Sequence, residues 1–226
     1  MRAQKPATIY LLRHGHSTAN AKSILAGRDF KVSLSPSGKK QAIAIESELR
    51  QKSFSRIYSS PLPRCIQTVE PLAAVLGKEI EITQGAIEME YGDWSGKKLA
   101  LLSRTKLWKS IQSRPSLVRF PNGESFLEMQ DRALQTVKSI AIPGETVLLC
   151  SHGDVIKAIV AGLLGLHLDN FQRLSIDPAS ISIVQLSGDS ARIQLLNNTN
   201  YLNDLRFTGD GKKNLNLGGG GGASRE

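Results

Sequence analysis

The sequence predicts an α/β fold: a three-layer α/β/α sandwich around a mostly parallel central sheet. Three observations lead there. Short apolar runs alternate with amphipathic helical stretches through the first two thirds of the chain, the pattern of crossover connections that build a parallel sheet. Two of those runs stop in the same way, one at Arg13-His14-Gly15 and the other at Ser151-His152-Gly153. The 226 residues, 40% of them hydrophobic and 22% charged, suffice for one domain with its own core.

The elements follow in order. Residues 8–13 read as the first strand. A loop with Gly27 leads to Ser35-Pro36, an N-cap and first-turn pair that opens a helix to about residue 52. Ala42, Ile43, Ile45 and Leu49 form its apolar stripe. Residues 55–59 are a short strand, 61–76 a helix closed by Gly77, and 79–82 an alternating strand. Residues 97–111 read as one helix, and 114–123 as a proline-bearing loop. An amphipathic helix spans 124–140, and Pro143-Gly144 turns into a strand at 145–150. A helix at 155–164 precedes a hairpin of strands 181–186 and 192–196. One domain, 1–207, is therefore expected, with a Gly-rich tail, 208–226, too poor in apolar residues to fold.

Composition narrows the classes of function. The net charge of +9 favours anionic partners, but the basic residues are scattered and aromatics make up only 5%. Nucleic acid is not an expected partner, and small phosphorylated molecules are. No apolar run reaches the ~18 residues of a membrane span, and no signal peptide is read at the N-terminus. Cys65 and Cys150 fall in a helix start and an apolar strand, which fits free thiols in a reducing, cytoplasmic setting.

In a parallel sheet, ligands bind beyond the carboxyl ends of the strands. Arg13-His14 closes the first strand. Ser59-Ser60-Pro61 closes the second, with Arg64 in the next helical turn, and His152 closes the fourth. Helix N-termini beyond these ends add N–H donors and a favourable dipole. The result is a cationic, donor-rich rim suited to a phosphoryl group.

From about residue 9 to 202 the chain resembles the histidine phosphatase superfamily, branch 1, the group of phosphoglycerate mutase-like enzymes. The resemblance is carried by Leu11-Leu12-Arg13-His14-Gly15 and Ser17-Thr18-Ala19-Asn20, then Leu34-Ser35-Pro36-Ser37-Gly38 with Gln41-Ala42. It continues in Ser59-Ser60-Pro61-Leu62-Pro63-Arg64 with Gln67-Thr68, then in 88–96, from Glu88 to Gly96, and Pro121-Asn122-Gly123-Glu124-Ser125. Ser151-His152-Gly153 and Asn198-Thr199-Asn200-Tyr201-Leu202 complete it.

The resemblance implies His14 as a nucleophile that takes up the phosphoryl group, one ring nitrogen being held by a backbone carbonyl. It implies Arg13, Arg64 and a cationic His152 around the phosphoryl oxygens, and Asn20 and Gly153 among the substrate contacts. The family's proton donor stands four residues before the glycine of Glu-x-x-x-Gly, which makes it Glu88; Glu90 is the rival, since both would point one way along an extended segment. No metal or other cofactor is implied, because arginines and helix ends supply the positive charge.

Two departures stand out. His16 occupies a position where the family has Glu or Gln, and would alter the pocket or face solvent in a loop; a His14-x-His16 metal pair lacks further ligands. Tyr201 stands where the family often has histidine, a matter of packing. His167 reads as structural. Cys150 is no phosphatase nucleophile of the cysteine type, since residue 156, where that chemistry needs arginine, is isoleucine.

The family's mutases carry a long insertion that caps the pocket, whereas here only residues 93–120 separate Gly92 from Pro121. Phosphomonoester hydrolysis of a small metabolite is thus the expected activity, and phosphomutase the runner-up. A phosphate-binding module without turnover is a third reading. Specificity is expected to lie in residues 26–28, in 97–120 and at His16. Arg28 and Lys97 stand where they can meet a second anionic group or simply solubilise the surface. The oligomeric state is not legible.

Overall fold

The computed structural model describes residues 5–188 and 190–205. The expected tail, 208–226, lies outside the described residues. Six strands among the described residues form one sheet, in spatial order β3 (Ile80–Ile82), β2 (Arg56–Ser59), β4 (Thr146–Ser151), β1 (Ala7–Arg13), β5 (Ile181–Ser187) and β6 (Ser190–Asn198). Strands β1, β2, β3 and β4 are parallel. Strands β5 and β6 run antiparallel at one edge, the expected hairpin.

Helices cover both faces. On β1 and β4, alternate residues belong to different cores, as the two-residue period of a strand requires. Ile9, Leu11, Val147 and Leu149 join the apolar residues of α6 (Phe126–Ile140) and α7 (Gly153–Leu163). Leu12, Leu148 and Cys150 join those of α2 (Pro36–Leu49) and α3 (Pro63–Leu76). Each fully buried Leu or Ile contributes about 1.5–3 kcal/mol, so the strands that carry the rim sit in the firmest part of the molecule.

Local chemistry explains the helix boundaries. Ser35 caps α2 through Gly38 N, and Ser125 and Glu128 form a reciprocal capping box on α6. Gly77 ends α3 in the left-handed conformation. Three expectations need correction. The helix read at 97–111 is two, α4 (Leu99–Leu102) and α5 (Lys106–Ser113), because Thr105 takes an extended conformation and caps the second. A short helix, α1 (Thr18–Ala21), was not expected; Ser17 and Asn20 cap it. Ile43, read into the α2 stripe, is exposed, and Gln41 is buried in its stead.

The register places the predicted groups on one rim. Arg13 lies opposite Ser151, and Ser59 opposite Cys150, so β1, β4 and β2 end together.

Candidate active site

His14 follows the last residue of β1 and is pinned on both sides. Its N–H donates to Ser151 O at 3.0 Å, and its carbonyl accepts from Ala179 N at 3.1 Å. The ring nitrogen Nδ1 lies 2.7 Å from Gly15 O. Since a carbonyl can only accept, Nδ1 carries the proton and Nε2 holds the lone pair. Burial, then Arg64 and Arg13, push the His14 pKa well below its ordinary value. The imidazole is therefore neutral at pH 7, as a nucleophile must be.

Two buried guanidinium groups stand beside it. Arg13 is 0% exposed; it donates to Ile176 O at 2.6 Å, and the charges of Asp177, Glu88 and Asp154 act on it. Arg64, in the first turn of α3, donates one NH2 proton to Gly27 O at 2.8 Å. Its other terminal nitrogen, NH1, is buried and has no hydrogen-bond partner among the described residues. Such a donor fits an anion's oxygen, because a buried, unsatisfied guanidinium N–H is costly. Glycine is required at position 27: φ is +54° and a Cβ there would lie 2.6 Å from Ser95 Oγ.

His152 follows β4 as the N-cap of α7, and its ring centroid lies 5.2 Å from that of His14. Its Nε2 is 2.8 Å from Ser60 Oγ and its Nδ1 is 3.7 Å from Glu88 Oε2. The cationic form expected from sequence is not the resting one. Burial, then the positive charges of Arg64, Arg132 and Arg13 and competition for a proton with the His14 ring, hold the His152 pKa well below the ordinary value. The ring is a neutral hydrogen-bonding group until a dianion nearby favours its protonation.

The two rival carboxylates part company. Glu88 is buried at 4% exposure, and one oxygen accepts from Met89 N at 2.9 Å. Burial and the Asp154 charge raise its pKa to about 7, so it holds a transferable proton near neutrality. Glu90 turns to the half-exposed side and pairs with Arg28 at 3.6 Å. Burial and partners separate the two carboxylates where the two-residue period of an extended segment could not.

The remaining candidates are placed as follows. Gly153 is the first residue of α7, whose N-terminal dipole faces the rim. Asn20 serves the capping box of α1: its Oδ1 accepts from Ser17 N and Ser17 Oγ, so Nδ2 is the end it can offer a ligand. Arg28 is engaged with protein groups, Glu88 O at 2.9 Å and Glu124 Oε2 at 3.1 Å. His16, in the loop after β1, is half-buried, with Nδ1 2.8 Å from Ser35 Oγ. The Tyr201 hydroxyl donates to Ala179 O, bracing the residue that binds the His14 carbonyl. His167 is exposed and caps a 3₁₀ turn. Cys150 is fully buried, and burial pushes its thiol well above the ordinary pKa. Among the described residues, no three His, Cys, Asp or Glu side chains are grouped as a metal ion requires.

The family model described as histidine phosphatase superfamily (branch 1) matches residues 9–199. The chain belongs to that superfamily. Phosphoserine phosphatase 1 of Hydrogenobacter thermophilus (strain DSM 6534 / IAM 12695 / TK-6) is 28% identical over 201 residues, 87% of this chain and 95% of the relative. A Salmonella choleraesuis (strain SC-B67) protein named "Probable phosphoglycerate mutase GpmB" is 30% identical over 178 residues, 77% of this chain and 82% of the relative. Among solved structures, mycobacterial glucosyl-3-phosphoglycerate phosphatase in complex with VO3 superposes with a TM-score of 0.78 at 25% identity. That match covers 85% of this chain and 100% of the other.

In this member of the superfamily the fold brings together all five of the residues read from the sequence, Arg13, His14, Arg64, Glu88 and His152. Sequence reasoning missed the groups that brace them. Thr68 accepts from Gly15 N at 2.9 Å and donates to Arg64 O at 2.6 Å, tying the His14 loop to α3. Tyr91 OH donates to the buried Asp154 at 2.8 Å, and that carboxylate helps keep Glu88 protonated. Asp154 directly follows His152-Gly153, and Thr68 lies one helical turn beyond Arg64. That spacing was the available signal.

Proposed function

We propose that the chain is a phosphomonoester hydrolase that works through a phosphohistidine on His14 and needs no metal ion. One observation carries the reading: Gly15 O holds His14 Nδ1 and leaves the Nε2 lone pair, among buried groups that include Arg64, whose NH1 has no partner among the described residues, and Glu88, which holds a proton near pH 7.

In the first step His14 Nε2 attacks phosphorus in line with the ester oxygen. The P–O bond breaks as the N–P bond forms, and Glu88 gives its proton to the departing oxygen. Arg13, Arg64, the Gly153 N–H and Asn20 Nδ2 hold the equatorial oxygens, and His152 donates to the same group. In the second step the Glu88 carboxylate takes a proton from water, whose oxygen displaces His14 from phosphorus and releases inorganic phosphate. The short 93–120 segment leaves that water access, which favours hydrolysis over return of the phosphoryl group to the substrate. The reading extends to a small phosphorylated metabolite in the cytoplasm, with Arg28 bordering the pocket.

The test is phosphate release from p-nitrophenyl phosphate and a panel of phosphorylated metabolites, with and without EDTA. We expect release that chelation does not change. Interconversion of 3- and 2-phosphoglycerate without net phosphate release would make the protein a mutase. Tight phosphate binding without turnover would make it a binding module.

A further inference from the structure

Glu88 sits on a stretch with little regular structure of its own. A 3₁₀ turn at Gln84–Ala86 precedes it and another, Gly92–Trp94, follows; nothing between them pairs as a strand or coils as a helix. Carbonyls in such a stretch need partners from elsewhere, and a proton donor needs a backbone that does not drift.

Arg132 of α6 supplies those partners. Its NH1 donates to Gly85 O at 2.8 Å and Ile87 O at 2.7 Å, and its NH2 to Glu88 O at 3.2 Å. The remaining donors form a two-pronged pair with Glu124: Nε to Oε1 at 2.6 Å and NH2 to Oε2 at 2.9 Å. All five guanidinium N–H directions are therefore in use. Glu124 is a hub in turn. Its Oε2 also accepts from Glu90 N at 3.2 Å and Arg28 NH2 at 3.1 Å, while Arg28 Nε gives a second bond to Glu88 O at 2.9 Å. The Arg132 and Glu124 side chains are only 20% and 11% exposed, so solvent screens this pair weakly.

We propose that Arg132, braced by Glu124, is a positioning residue for the proton donor: it clamps the backbone at 85, 87 and 88 and so keeps the Glu88 carboxyl beside His152 and the oxygen leaving phosphorus. The proposal rests on Glu88 being that donor. It also gives Arg28 a place in the clamp. A lysine at 132 has three donors on a single nitrogen, so it cannot bridge three carbonyls and hold a carboxylate at both oxygens.

The experiment compares kcat/KM, which reports the first phosphoryl transfer and not the hydrolysis common to both esters, for the best alkyl monoester of the metabolite panel and for p-nitrophenyl phosphate, whose leaving group departs with little proton assistance. For Arg132→Lys we expect kcat/KM on the alkyl ester to fall about 100-fold, the scale of a small misplacement of a catalytic group. On p-nitrophenyl phosphate it should fall by no more than about 3-fold, since proton donation matters little there. Glu124→Gln should show the same split, and serves as the test if the lysine variant does not fold. Equal losses on both esters, or no loss on either, overturn the proposal. Glu88→Gln separates the two levels. If it splits the esters and Arg132→Lys does not, only the clamp fails; if Glu88→Gln slows both equally, the donor assignment fails with it.

Discussion

His14→Ala should abolish turnover on every substrate, with kcat falling about 10⁴- to 10⁶-fold, the range seen when a covalent nucleophile is removed. The size of the effect follows from the geometry. His14 is the one ring here whose Nδ1 is committed to a backbone carbonyl, so Nε2 is left to attack. His152 cannot stand in, because its Nε2 is already 2.8 Å from Ser60 Oγ. Fold and phosphate binding should survive, since Arg13 and Arg64 are anchored by Ile176 O and Gly27 O and not by His14. Steady-state kinetics beside isothermal titration with inorganic phosphate check both halves. A His14→Ala variant that still turns over at a tenth of the original rate would contradict the assignment.

Glu88→Gln should cost about 10²- to 10⁴-fold in kcat/KM on alkyl esters and far less in kcat/KM on p-nitrophenyl phosphate, the signature of a lost proton donor in the first transfer. The pH dependence gives an independent sign. With the Glu88 pKa at about 7, the acid form prevails below that value, so the alkyl-ester rate should fall as pH rises through it. The variant should lose that alkaline limb. His14, held well below its ordinary pKa, stays neutral through mildly acid pH, so the optimum lies on the acid side of neutrality.

The same carboxyl acts on stability. Its pKa rises from 4.5 in the unfolded chain to about 7 in the fold, so the folded form binds more protons between those values. Stability is then lost as pH rises from 4.5 through 7, by an amount on the order of 3 kcal/mol. Glu88→Gln should therefore be more stable than the unaltered protein at pH 8 and no more stable at pH 4.5, as denaturant titration at the two pH values will report. Equal stability at both would mean that burial does not hold the carboxyl protonated.

Much of the site was legible because its residues interrupt strong local patterns. Arg13, His14 and His152 end apolar runs, and Arg64 follows a proline at a helix start, so each could be placed at a strand's carboxyl end before any contact was known. Parallel pairing of β1, β4 and β2 then made the rim unavoidable. Glu88 was different. Its assignment over Glu90 came from the family's register, because the period-two argument does not tell the two apart and their different burial and partners show only in the fold. What was illegible depends on contacts between distant segments. Arg132 reaching residues 85–88, Tyr91 reaching Asp154 and Arg28 bonding Glu88 O leave no mark in local spacing. The break between α4 and α5 was missed because Ser103-Arg104-Thr105 contains neither glycine nor proline, and the cap at Thr105 shows only in the fold.

The central claim is a bond between His14 Nε2 and phosphorus. Rapid quenching of the working enzyme with radiolabelled substrate, followed by peptide mapping, tests it most directly. The account predicts an acid-labile, base-stable label on the peptide that carries His14, absent from His14→Ala. An active preparation with no labelled intermediate, or with the label on any other residue, would contradict it.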